Sequence, residues 1–119
     1  MKKILFAALC ACILFLTLSP AKAIYMTGAE LTQHCAGDQP KDLYSCTAYI
    51  AGIIDYHNLI QSLGTAPTID FCVPADMPIE QVAMDVLAYL KKEQQHGGFI
   101  ATPAVTLALN KMYPCRKQK

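Results

Sequence analysis

Apolar residues recur every three or four positions along most of the chain, and nowhere do they alternate with period two over the length of a strand. That spacing predicts helices and no sheet. Thr27-Gly28-Ala29-Glu30 carries the capping-box pattern, in which a hydroxyl and a carboxylate each satisfy a free backbone N–H, so a short first helix is expected over about 28–35. Gly37, Asp38, Gln39 and Pro40 then form a turn. From Asp42 to Leu63 the positions Cys46, Tyr49, Ile50, Ile53, Tyr56, Ile60 and Leu63 make a helical stripe. Ala48, Ala51, Ile54 and Leu59 widen it until little of the circumference is polar, which predicts the central and most buried helix. Gly64 is placed to stop it, and residues 65–76, with Pro67 and Pro74, are too broken for regular structure. A third helix starts near Pro78 and carries Ile79, Val82, Ala83, Val86, Leu87 and Leu90. Gly97 and Gly98 break the pattern inside an exposed polar loop from Glu93 to about Ala101. Thr102-Pro103 reads as an N-cap followed by proline at the first helical position, opening a fourth helix that ends near Tyr113. The expected fold class is all-α, a small four-helix domain.

The segment before Thr27 follows different rules. Lys2 and Lys3 precede an apolar run from Ile4 to Leu18, and Ala21-Lys22-Ala23 closes it, the three parts of a secretory signal peptide. Cleavage after Ala23 divides the chain into a signal peptide, 1–23, and one domain, 24–119. The apolar run holds fifteen residues, short of the roughly 20 needed to cross a bilayer as a helix. No stable membrane anchor is therefore expected after cleavage. Export places the domain in an oxidising compartment.

Cleavage changes both the charge and the cysteine count. Removing Lys2, Lys3 and Lys22 leaves seven basic against nine acidic residues, and Arg116, Lys117 and Lys119 fall behind the last cysteine. An acidic body with a short basic tail argues against nucleic acid as a partner, because binding to phosphates needs a basic face. Cys10 and Cys12 leave with the signal, and Cys35, Cys46, Cys72 and Cys115 remain. Four cysteines permit three pairings. The preferred one joins Cys35, at the end of the first helix, to Cys46, in the first turns of the second, and leaves Cys72 with Cys115. The nearest two are eleven positions apart, which fits neither the close pairs of zinc sites nor the Cys-x-x-Cys of thiol oxidoreductases.

Candidate chemistry is sparse. His34, His57 and His96 lie in three separate segments without ligand spacing, and no metal or cofactor is expected. Asp55 and His57 are two apart on a helix, so their side chains diverge. Asp55 is expected to be a buried acid satisfied by tyrosine hydroxyls or a backbone N–H. No nucleophile elbow or phosphate loop is present, and the chain is expected to be a binder and not an enzyme.

Cys46-Thr-Ala-Tyr49-Ile50-Ala-Gly52-Ile-Ile-Asp55, Phe71-Cys72-Val-Pro74, Gln81, Val86-Leu-Ala-Tyr89-Leu90, Ala101, Ala108-Leu109 and Tyr113-Pro114-Cys115 occur in that order. This set resembles the Rap/Tai family of immunity proteins, which neutralise the cell-wall amidase effectors of type VI secretion systems. Two departures are Ala48, where glycine is expected, and the absence of a proline in the loop from Glu93 to Ile100. The resemblance implies a periplasmic, four-helix, disulfide-linked protein, often a homodimer, that binds a peptidoglycan amidase and blocks its active-site cleft. Carried over by position, the inhibitory loop is Glu93, Gln94, Gln95, His96, Gly97 and Gly98, with Phe99 beside it as an apolar anchor. The competing readings are a periplasmic helical stress chaperone and a member of the same fold family without an effector partner.

Overall fold

Thr27 starts the first helix as its pattern predicts. In the computed structural model, which describes residues 25–116, the Thr27 hydroxyl accepts from the Glu30 N–H at 3.2 Å and the Thr27 N–H donates to Glu30 Oε2 at 2.8 Å. Helix α1 follows over Gly28–Ala36. Helix α2, Pro40–Ser62, begins earlier than expected because Pro40 serves as its first residue, where a missing N–H costs nothing. Gly64 ends it at φ 74°, the left-handed conformation that only glycine adopts without strain, and the Thr65 N–H returns to the Ile60 carbonyl at 3.1 Å. Helix α3 spans Ile79–Lys92, a short 3₁₀ turn spans Gln94–His96, and helix α4 spans Ala101–Met112. Among the described residues no strand forms, and an isolated antiparallel bridge joins Thr27 to Ile100. The described residues form an all-α fold with four helices, and the predicted signal peptide, 1–23, lies outside them.

The start of α4 departs from its expected chemistry. Ala101 is the first helical residue, Ile100 occupies the cap position without a side-chain bond, and Pro103 falls at the third position. Proline is harmless there as well, since the first four N–H groups of a helix have no partner within it. The Thr102 hydroxyl, freed from capping, hydrogen-bonds the Tyr49 hydroxyl across to α2 at 2.9 Å.

The core forms where α3 and α4 meet α1. Leu31 of α1, Val82, Val86 and Leu90 of α3, and Ala104, Val105, Ala108 and Leu109 of α4 are buried, with Phe71 reaching in from the segment after α2. The alanines of α4 leave room for the larger side chains of its neighbours. Helix α2 contributes less than its sequence promised. Only Cys46, Ile50 and His57 are buried on it, while Tyr44, Tyr56, Leu59 and Leu63 stand exposed. Its apolar arc is wider than the one layer of helices beside it can cover. Asp55 is likewise exposed and not buried, since it lies on that uncovered side.

Two disulfides fasten the ends of these elements. Cys35 is joined to Cys46 with Cα atoms 5.0 Å apart, tying the end of α1 to the start of α2. Cys72 is joined to Cys115 at 4.9 Å, tying the irregular segment to the C-terminal end. The Cys72 N–H also donates to the Tyr113 carbonyl at 2.8 Å.

Candidate functional site

The loop from Glu93 to Ile100 connects α3 to α4 and is held to the start of α1 by its backbone. Gly28 and Ala29, the first two residues of α1, donate their N–H groups to the carbonyls of Phe99 at 2.9 Å and Gly97 at 3.0 Å. Helix starts need acceptors for such groups, and here the loop supplies them. The Ala101 N–H in turn donates to the Met26 carbonyl at 2.9 Å. Gly28 is required by this contact, because a Cβ there would stand 2.6 Å from the His96 carbonyl oxygen. The loop is therefore set by residues 26–29, far from it in sequence.

Within the loop, Glu93 Oε2 accepts from the Gln95 amide at 2.7 Å, and the Phe99 N–H donates to the His96 carbonyl at 3.3 Å. The His96 ring lies nearly parallel to Tyr89 of α3, with centroids 6.3 Å apart. Glu93, His96 and Gly97 are half-buried, whereas Gln94, Gln95 and Gly98 are exposed. Phe99 keeps 71 % of its surface in water while its own carbonyl is tied down. Gly97 takes an ordinary right-handed conformation and fits tightly against Gln94 and Ala29, so it serves close approach and not backbone freedom. All seven predicted loop residues thus come together as one braced protrusion. A groove of about 380 Å³ runs beside it, between His96 and Lys111 of α4.

Residues 27–115 match the family model of the Rap1a immunity proteins. The chain belongs to this family. No curated protein and no solved structure matches it. As a Rap1a immunity protein it binds a cognate effector, and its family is generally non-enzymatic. Among the described residues no helix is long and apolar enough to cross a membrane.

A second feature of this immunity protein was not visible in its sequence. His57 of α2 is 6 % exposed and lies against Asp70, whose Oδ1 is 3.0 Å from His57 Nε2 and also accepts from the Gln61 amide at 2.8 Å. The Phe71 ring stacks on the imidazole at 3.8 Å, and the Asn110 amide donates to the Asp70 carbonyl at 2.6 Å. Nδ1 has no hydrogen-bond partner among the described residues, and Nε2 is the ring nitrogen placed to donate to the carboxylate. Asp70 thereby links α2, α4 and the irregular segment. Beside it opens an apolar groove of about 530 Å³ walled by Ile53, Tyr56, Pro67, Ile69 and Pro103. Asp70 is separated from His57 by thirteen positions of turn-rich sequence, so no periodicity could have joined them. His34 finds a carboxylate in the same way, Nδ1 lying 3.2 Å from Asp42 across the first disulfide's turn.

Proposed function

We propose that the chain is a periplasmic immunity protein, exported by residues 1–23, that binds a peptidoglycan amidase of a type VI secretion system and occludes its active-site cleft. The element that enters the cleft is the protrusion Glu93, Gln94, Gln95, His96, Gly97, Gly98 and Phe99. One observation carries this assignment: the loop's backbone is bonded to the start of α1 while the Phe99 ring stands in water. A pre-ordered loop loses little conformational entropy on binding, and an exposed aromatic residue is the usual kind of anchor for a partner pocket. Occlusion needs no chemistry from the inhibitor, since a filled cleft admits no substrate.

Replacing Gln95 and His96 by alanine, and separately Phe99 by alanine, tests the loop. Each variant is expected to bind the cognate amidase at least about tenfold more weakly, with Phe99→Ala the larger loss. Titration calorimetry and amidase inhibition are the readouts. Unchanged affinity in all three positions would remove the assignment. The same reading includes a homodimer, as the family resemblance implies, and the uncovered apolar side of α2 favours it.

A further inference from the structure

The basic residues of the domain are not spread evenly over it. Between Ile24 and Cys115 nine acidic residues stand against four lysines, Lys41, Lys91, Lys92 and Lys111. Lys91 and Lys92 end α3, and Lys111 lies in the last turn of α4. Lys92 and Lys111 both line the groove of about 380 Å³ beside the protrusion, together with Ala88, Tyr89, His96 and Met112. Both lysines are exposed, and among the described residues neither has an ion-pair partner. Glu93, on the same groove, is the sole acidic residue between Ala88 and Cys115, and its Oε2 is occupied by the Gln95 amide at 2.7 Å. Three of the four lysines thus gather beside the loop, on a body that is otherwise acidic. A lysine in a last turn offsets the negative end of its own helix, but that role does not require two helices to place theirs along one groove.

We infer that this groove receives an acidic side chain of the effector between Lys92 and Lys111, an aspartate or glutamate at the lip of the cleft that the protrusion enters. The inference rests on the loop assignment above and adds to it a second contact of stated charge. Two ammonium groups along one groove repel each other, and a carboxylate between them replaces that repulsion with two attractions. Ala88, Tyr89 and Met112 give the groove an apolar floor, which suits the methylene stem of such a residue and offers nothing to a free inorganic anion. The groove shares Glu93, Gln95 and His96 with the protrusion, so a partner closed over the loop covers both. Polarity adds to the argument. An acidic body attracts a partner that is basic overall, and a cationic groove at one end admits that partner only where it carries a carboxylate. A local reversal of sign of this kind fixes orientation and rejects wrong partners.

Titration calorimetry and association kinetics with the cognate amidase, on the exported protein after signal removal, test the groove. Lys92→Glu and Lys111→Glu are each expected to weaken binding about tenfold, chiefly through slower association, with the difference shrinking as salt is added. Lys92→Arg and Lys111→Arg are expected to retain the unaltered affinity. Lys41→Glu makes the same change in net charge at the start of α2 and is expected to leave affinity within about twofold. Carbodiimide coupling of the unaltered complex, mapped by mass spectrometry, is expected to join Lys92 or Lys111 to an aspartate or glutamate of the amidase. Unchanged affinity in the Lys92→Glu, Lys111→Glu double variant overturns the groove contact. An equal loss from Lys41→Glu also overturns it, since the effect would then be one of overall charge, and so does a complex that couples only through other lysines. Phe99→Ala, measured alongside, separates the two assignments. If it weakens binding while the lysine variants do not, the loop assignment stands and the groove contact falls. A loss confined to the lysine variants upholds the groove contact and removes the Phe99 anchor.

Discussion

Tyr113 donates its hydroxyl proton to Asp85 Oδ2, and the same carboxylate accepts from the Gln81 amide on its other oxygen. Burial, the hydrogen bond and the nearby negative charge together push the tyrosine from its ordinary 10.0 up to about 12. A raised value in the folded state means that the neutral phenol is favoured there. The contribution is fully present below pH 10 and is lost as pH rises toward 12, because the unfolded chain ionises first. Chemical denaturation across that window is expected to show a steeper loss of stability in the unaltered protein than in Tyr113→Phe. Parallel curves would refute it. Pairings of this sort were illegible in the sequence. Asp85 could be placed on the polar side of a helix and Tyr113 at the end of another, but nothing in either pattern joins residues so far apart. Asp70 with His57 is the same case, and Asp55 is the opposite one. An apolar neighbourhood in sequence suggested burial for Asp55, yet burial depends on which faces acquire neighbours.

Local signals were legible where one element decides them. The Thr27 and Glu30 pattern and the Gly64 stop act within a few residues, and the structure contains both. Thr102 does not cap α4, because the backbone enters the helix one residue sooner, where the Ala101 N–H has a backbone partner of its own in Met26. In sequence the loop from 93 to 100 reads only as exposed and polar, since its composition says nothing about the start of α1. Gly28→Ala tests that junction. The added methyl would lie 2.6 Å from the His96 carbonyl oxygen, so the loop must shift or α1 must unwind at its first residue. Effector affinity is expected to fall by about tenfold or more, while thermal stability drops only modestly, by about 1 kcal/mol. An unchanged affinity with a large stability loss would place the damage in the helix alone.

Across the whole molecule the two disulfides are unequal. Cys46 is 1 % exposed, whereas Cys72 is exposed and Cys115 half-buried. A thiol reductant needs direct access to a sulfur, so the Cys72–Cys115 bond is expected to open first. That bond also closes the longer loop, 43 residues against 11. In the chain-entropy model the two contribute about 4 and about 3 kcal/mol. Partial reduction followed by alkylation and mass mapping would find label on Cys72 and Cys115 before Cys35 and Cys46. The reverse order would contradict it. Helix number was legible at this scale because each stripe reports its own element. The uncovered side of α2 was not legible, since a stripe tells how much apolar surface exists and never how much of it the rest of the chain can reach.

The bonds from Gly28 and Ala29 to the carbonyls of Phe99 and Gly97 use only main-chain atoms of the loop. Shape there is thus inherited largely from residues 26–29 and draws no side-chain hydrogen bond from positions 94 and 99. On the loop assignment proposed above, substitutions at 94 and 99 would change the contact surface and leave the domain's frame in place. Retargeting by grafting the side chains of a sister immunity protein onto this loop should then succeed with the host domain untouched.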